Sequence, residues 1–302
     1  MLENISKDAR SYQILSLFLF LVLGIGTRDW TLKPELMAVI AGTCLSTQVL
    51  LSWLTFKLQT QFPLANFSAH QINYPVNYRV KNHILKGLPS ALVTTLGMCL
   101  LLRAGSPSTM ILAAFCAIAS KFIFRVGDKH WFNPGNFGIV TALLFTSDAW
   151  VSPGQWGDEV WYALVFLCMG GMVLKRVGRW DTTAAFFCSY AGLELIRNLY
   201  LGWSWDVLGH RLMSGSLLLF AMFMITDPRS IPNARSARII WAVAIACLTF
   251  ILRNYFFVSD AVFYALFALS PLTLVLDYLY KAPRFTWFKD QAPLTSKPLV
   301  LS

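Results

Sequence analysis

Ile239-Ile240-Trp241-Ala242-Val243-Ala244-Ile245-Ala246-Cys247-Leu248-Thr249-Phe250-Ile251-Leu252 runs uncharged between Arg238 and Arg253. At 1.5 Å per residue a helix over 237–253 is about 25 Å long, close to the thickness of a bilayer's hydrocarbon core. Similar apolar stretches fall at about 12–26, 36–56, 84–102, 108–126, 133–147, 159–175, 183–202, 207–227 and 260–280. Charged residues make up 13% of the chain and apolar ones 56%, with a mean hydropathy of +0.56. A soluble domain carries about 25% charged residues. Lipid offers no partner to a free backbone amide or carbonyl, so such stretches must be helical. The expected fold is an all-α polytopic membrane protein with about ten transmembrane helices.

The basic residues orient it. With the N-terminus in the cytoplasm, the inner segments hold 18 Lys and Arg and the outer loops hold 6, namely Arg28, Lys33, Arg103, Arg197, Arg211 and Arg253. That asymmetry predicts both termini inside, and anionic lipid accounts for the net charge of +10. No soluble basic face suited to nucleic acid is visible. Lys7 and Arg10 precede an apolar run as in a signal peptide, but Thr27-Arg28-Asp29-Trp30 follows it instead of small cleavage-site residues. A retained first helix is expected. Cys44, Cys99, Cys116, Cys168, Cys188 and Cys247 all fall in apolar spans and read as small buried hydrophobes.

The two halves echo each other. Leu88-Pro89-Ser90-Ala91-Leu92-Val93-Thr94 opens a span ending at Ser106-Pro107, and Met213-Ser214-Gly215-Ser216-Leu217 opens one ending at Asp227-Pro228. Phe122-Ile123-Phe124-Arg125 is matched by Phe250-Ile251-Leu252-Arg253, and Phe137 to Leu143 by Phe263 to Leu269. One five-helix unit written twice fits these matches, covering about 12–147 and 159–280. An odd number of spans inverts the second copy, and inverted repeats place binding sites at short spans in matching positions. The third, fifth, eighth and tenth spans are the places to look. The stretch 57–86 reads as an irregular cytoplasmic loop that docks on the membrane surface or a partner subunit, and 281–302 as a basic cytoplasmic tail.

Lys129-His130-Trp131-Phe132-Asn133-Pro134-Gly135-Asn136-Phe137-Gly138 stands at the mouth of a short span. A polar helix N-terminus entering the membrane can hold an anion or a polar ring edge, and it can equally be a cap built on Asn133. Ionisable residues inside spans attract functional suspicion. Lys121, Glu194 with Arg197, Asp227 and Asp277 qualify. Glu194 and Arg197 are three apart and can pair on one face, Asp227 can cap the loop at Pro228, and Asp277 and Arg253 can reach an interface. Trp30, Trp150, Trp156, Trp161, Trp203 and Trp205 read as an interfacial belt. No phosphate loop, metal-binding spacing or nucleophile elbow is present. The four histidines (His70, His83, His130, His210) are scattered, and NADH binding by the chain itself is not expected.

Three runs resemble the family of the D subunit of the Rnf electron-transport complex and the B subunit of sodium-pumping NADH:quinone oxidoreductase. They are Ser90 to Leu96, the box His130-Trp131-Phe132-Asn133-Pro134, and Ser214 to Pro228. The run Asp148-Ala149-Trp150-Val151-Ser152-Pro153-Gly154-Gln155-Trp156-Gly157 is similar to the family's UnbU branch. The resemblance implies ten helices in two inverted halves in a bacterial cytoplasmic membrane. It also implies a redox-linked complex with other subunits as partners, reached through the cytoplasmic loop or the outer face.

Redox-active members carry FMN bonded through phosphate to the threonine of a Ser-Gly-Ala-Thr motif in the outer loop after span five. Here that loop, about 146–159, lacks the motif, so covalent FMN is not expected. A non-covalent flavin (riboflavin or FMN) between the helices is the remaining expectation, with Ser90, Thr94, Asn133, Asn136, Ser214, Ser216 and Asp227 as its contacts. The alternatives are a transporter or channel for a small solute or ion, and a membrane anchor for a partner protein.

Overall fold

The structure, a computed structural model, describes residues 9–27, 33–61, 76–127, 129–153 and 160–285. Its first part contains α1 (Ala9–Thr27), α2 (Pro34–Gln61), α3 (Val76–Leu101), α4 (Pro107–Ile123) and α5 (Pro134–Phe145). The second contains α6 (Val160–Val177), α7 (Trp180–Leu201), α8 (Trp205–Leu212), α9 (Gly215–Leu219) with a wide π turn (Phe220–Met224), α10 (Arg235–Asn254), α11 (Ala261–Leu269) and α12 (Leu272–Leu279).

Polarity is inverted relative to a soluble protein. Leu15, Phe18, Leu50, Trp53, Ile111, Phe115, Ile196, Leu199 and Ile240 are exposed, while Gln48, Lys121, Asp181, Glu194, Arg238 and Asn254 are buried. Pro34–Leu58, Val80–Leu101 and Arg235–Asn254 are each long and apolar enough to cross a bilayer, and α11 with α12 forms a bent pair of the same character. An apolar rim around a charged interior is what a bilayer demands of a helical bundle. The chain is an all-α, multi-pass membrane protein.

The short α9 and the π turn that follows it lie deep in the bundle. From Leu217 to Thr226 every residue is buried, as expected where helix ends expose backbone groups that lipid cannot satisfy. α5, of 12 residues, is about 18 Å long and cannot span alone. Its N-terminus is closed by Asn133, whose Oδ1 accepts from the Asn136 amide, with Pro134 following at a position needing no donor. Gly138 lets α4 lie directly on it. A Cβ there would collide with the Ala113 carbonyl and come within 2.7 Å of the Ala117 methyl.

Several expectations are corrected. The irregular loop at 57–86 narrows, because Lys57–Gln61 continues α2 and Val76–Lys86 already belongs to α3; its middle, 62–75, lies outside the described residues, as does the tail from 286. Polar side chains disguised two helices whose backbone bonds close within the segment. The eighth stretch is three pieces, since the chain breaks at Met213 between α8 and α9 and widens into the π turn. The tenth breaks at Ser270-Pro271, where α11 and α12 meet at 49°, because Pro271 lacks an amide to continue the ladder. Cys168, Cys188 and Cys247 are exposed on outer helix faces instead of buried.

Two small antiparallel ladders were not foreseen. β1 (Leu102–Ala104) pairs with β4 (Ala149–Val151), and β2 (Arg125–Val126) pairs with β3 (Lys129–His130). Asp148 fastens the first of them to α4. Its carboxylate accepts from the Ser106 amide and hydroxyl and from the Thr109 hydroxyl, at 2.6–2.8 Å. These bonds, from Thr109 first and then Ser106, pull its pKa down to about 2.

Gly138→Ala should destabilise the protein by about 1–3 kcal/mol, the cost of overpacking a helix contact that cannot shift. Thermal unfolding in a mild detergent measures it, with Gly97→Ala as the control, because a Cβ at Gly97 meets nothing within 4 Å.

Candidate functional site

The π turn is the irregular backbone at the centre of the bundle. Around its wide Ile225 N to Phe220 O bond, 3.0 Å, carbonyls accept from outside the α ladder, and Met224 O also takes the Asp227 amide at 3.4 Å. Side chains from three places take them up. The Thr183 hydroxyl donates to Ala221 O (2.6 Å), the Thr226 hydroxyl to Met222 O (2.7 Å) and Asn133 Nδ2 to Met224 O (3.1 Å). Asn133 thus caps α5 with its oxygen and closes the π turn with its nitrogen.

Beside this junction lies a cavity of about 70 Å³. Ser90, Thr94 and Gly97 of α3 line it, with His130, Asn133, Phe223, Asp227 and Arg229, and Arg10 and Gln13 of α1. The hydrogen bond from the His130 amide to the Arg229 carbonyl (2.9 Å) holds β3 against the chain leaving the π turn. Lys121 Nζ reaches the Ser90 carbonyl (3.1 Å) and Oγ (3.2 Å) from α4. Burial, together with the charges of Lys121, Arg229 and Arg125, pushes the His130 pKa down to about 3. Its ring is neutral at physiological pH, and the buried Nδ1 has no hydrogen-bond partner.

Of the seven residues expected to contact a cofactor, Ser90, Thr94, Asn133 and Asp227 meet at this cavity. Asp227 also behaves as a turn cap, accepting from the Arg229 amide and the Ser230 hydroxyl. Asn136 is turned away, and its Nδ2 donates to the Phe263 carbonyl of α11 (3.1 Å). Ser214 and Ser216 do not line it; their hydroxyls share a 2.8 Å hydrogen bond, and Ser214 donates to Pro153 O. Ser214 precedes α9 and Ser216 lies in its first turn, whereas Leu219 at the far end of that helix lines the cavity.

The room suits water or a small ion, and not the three fused rings of a flavin; pockets for such ligands are commonly about 300–1,000 Å³. The residues therefore do not fit a flavin enclosed in this cavity.

The other ionisable groups are arranged differently from their sequence pairing. Glu194 bonds to Arg211 (2.8 Å) and Asn254 (2.9 Å), not to Arg197, which stacks over Trp203 instead. Asp277 does not snorkel; it joins Lys129 of β3 and accepts from the Asn233 amide and side chain. Asp181 and Arg238, both buried, form a further pair that sequence reading passed over. These partners are 17 to 148 residues apart, beyond the reach of any local spacing rule.

The profile of the NQR2, RnfD, RnfE family matches residues 151–286, which include α6 through α12 and the whole π turn. The chain is 23% identical over 317 aligned positions to the D subunit of the ion-translocating oxidoreductase complex of Pseudomonas paraeruginosa (strain DSM 24068 / PA7), covering 83% of this chain and 91% of that protein. Over its second part this chain is similar to the NQR2, RnfD, RnfE family. The likeness is sharper over a shorter region in the D subunit of the same-named complex of Stutzerimonas stutzeri, 38% over 150 residues, covering 47% of this chain and 39% of that one. The D subunit from Alcanivorax borkumensis (strain ATCC 700651 / DSM 11573 / NCIMB 13689 / SK2) is 32% identical over 131 residues, 41% of this chain and 36% of that one. Within the matched region, the motif Ser214 to Pro228 is the chain that forms α9, the π turn and its exit.

Thr183→Val keeps the side-chain shape and removes the donor to Ala221 O. It should lower stability by about 1 kcal/mol, the usual net worth of one interhelical hydrogen bond, read as a reduced midpoint in detergent unfolding. An unchanged midpoint would mean the π turn does not need that donor.

Proposed function

We propose that this chain is a membrane subunit of a redox-linked, ion-translocating complex. The observation that carries the reading is the end-to-end likeness to proteins named as the D subunit of an ion-translocating oxidoreductase complex, covering 83% of this chain and 91% of the Pseudomonas protein. Ten spans in two inverted five-helix halves belong to the same proposal. The packing supports it, since α4 lies against α2 and α5 while α10 lies against α7 and α11. The excess of basic residues in the segments assigned to the inner face supports cytoplasmic termini, and the run from Asp148 to Gly157 supports the UnbU-like branch.

The chain's own part in this role is mechanical and electrostatic. Two helix ends are sealed against each other by Asn133, and a small polar cavity is kept between α3 and the π turn. Lys121 and neutral His130 stand at its edge. No electron step is assigned to the cavity, because a flavin ring does not fit in it. A non-covalent flavin in this reading needs a wider site formed with a partner subunit, and the partner surfaces proposed are the cytoplasmic segment between α2 and α3 and the outer face. The same polar cavity favours a second reading, a channel for a small ion or solute.

Affinity purification of the tagged full chain from its native membrane in mild detergent separates these. The reading predicts stoichiometric recovery of other membrane subunits and a visible redox spectrum belonging to the assembly. A chain recovered alone and colourless, carrying ion flux by itself in liposomes, would replace it with the channel.

A further inference from the structure

We infer that the end of α7 and α10 carries a binding site for the phosphate of an anionic lipid headgroup, built on Arg197, Arg211 and Arg253. Three of the six basic residues that the charge count left outside the inner segments gather at this one place. Glu194 is the carboxylate paired with one of them, Arg211. It accepts from Arg211 Nη1 (2.8 Å), and Asn254 bridges the pair, donating to Glu194 (2.9 Å) and accepting from Arg211 (2.7 Å). Arg253 donates to the hydroxyl of buried Tyr190 (3.0 Å). Among the described residues, one carboxylate is paired within this group of three guanidiniums, which leaves an excess of two positive charges. Asp206 starts α8 at its opposite end from Arg211 and is exposed.

Trp203 shows where the excess lies. The Arg197 guanidinium sits 4.6 Å and that of Arg211 5.5 Å from the centre of its ring, so the two cations are within about 10 Å of each other. The repulsion is costly beside a bundle interior, where the effective dielectric constant is low. Arg211 has its carboxylate. Among the described residues Arg197 has only the indole face, and its buried Nη1 has no hydrogen-bond partner there. A buried guanidinium nitrogen without an acceptor calls for an anion, and a planar fork of donors suits phosphate.

The surroundings select the source of that phosphate. Tyr200, Trp203, Trp205 and Tyr255 are exposed around the cluster, and Ile196 and Leu199 are exposed on the same end of α7. α8 has no buried residue, and carries polar and apolar side chains in one short helix. Exposed aromatics with a surface helix mark the headgroup level of a membrane. A lipid phosphate reaches the cluster from there with its acyl chains along α7. The inference does not depend on the redox reading, and its test reads lipid binding alone.

Native mass spectrometry of the full chain, delipidated and titrated with phosphatidylglycerol or phosphatidylcholine, tests it. Phosphatidylglycerol should bind in preference, and Arg197→Gln should weaken it about tenfold, the worth of one charge-assisted hydrogen bond. Arg176→Gln, which removes an exposed cation stacked on Tyr12, should leave binding unchanged. Arg197 gives up no hydrogen bond at Nη1, and equal melting temperatures of wild type and Arg197→Gln in phosphatidylcholine would verify that folding is intact. Equal retention of both lipids, unchanged affinity in Arg197→Gln, or equal weakening by Arg176→Gln would overturn the site. Displacement of phosphatidylglycerol by millimolar inorganic phosphate would overturn the lipid source.

Discussion

One carboxamide holds together what the bilayer would otherwise pull apart. Asn133 caps α5 with Oδ1 and closes the π turn with Nδ2. Each contact answers a backbone group that no lipid could satisfy. Short helices and a widened turn survive at the centre of an apolar bundle because their open ends face each other and not the membrane. The cavity lined by Ser90, Thr94, His130 and Asp227 is the space left beside that junction.

The same constraint explains the placement of charge. Asp181 with Arg238, Glu194 with Arg211, and Lys129 with Asp277 all pair between elements. Removing one member of such a pair leaves an uncompensated charge, which is far more costly than replacing both. These contacts therefore tie the bundle together in register, whatever their net contribution to stability. Around Arg197 the pairing is incomplete, and that exception is where an outside anion is needed.

Much of the architecture was legible in the sequence. Uncharged runs of the right length announced the helices, and Asn133-Pro134 announced a capped start. Four of the seven expected site residues meet at one cavity, because α3 and the motif from Ser214 to Pro228 do approach each other. The π turn was illegible, since Leu219 to Ile225 is uniformly apolar and carries no Gly or Pro to signal a change of winding. Ser214 and Ser216 misled for a related reason: one motif covers both ends of a helix, and only its far end reaches the cavity. Partners such as Glu194 with Arg211 follow from the approach of α7, α8 and α10, which no spacing along the chain encodes. The resemblance supplied an expected flavin; the size of the cavity argues against enclosing one there.

Asn133→Asp separates the two contacts on which this account rests, because aspartate keeps the capping oxygen and loses the amide donor. Hydrogen–deuterium exchange of the variant in detergent, followed by mass spectrometry, reads both ends. The account predicts faster exchange across 220–226, with the first turn of α5 protected as in the parent protein. Unchanged protection across 220–226 would contradict it.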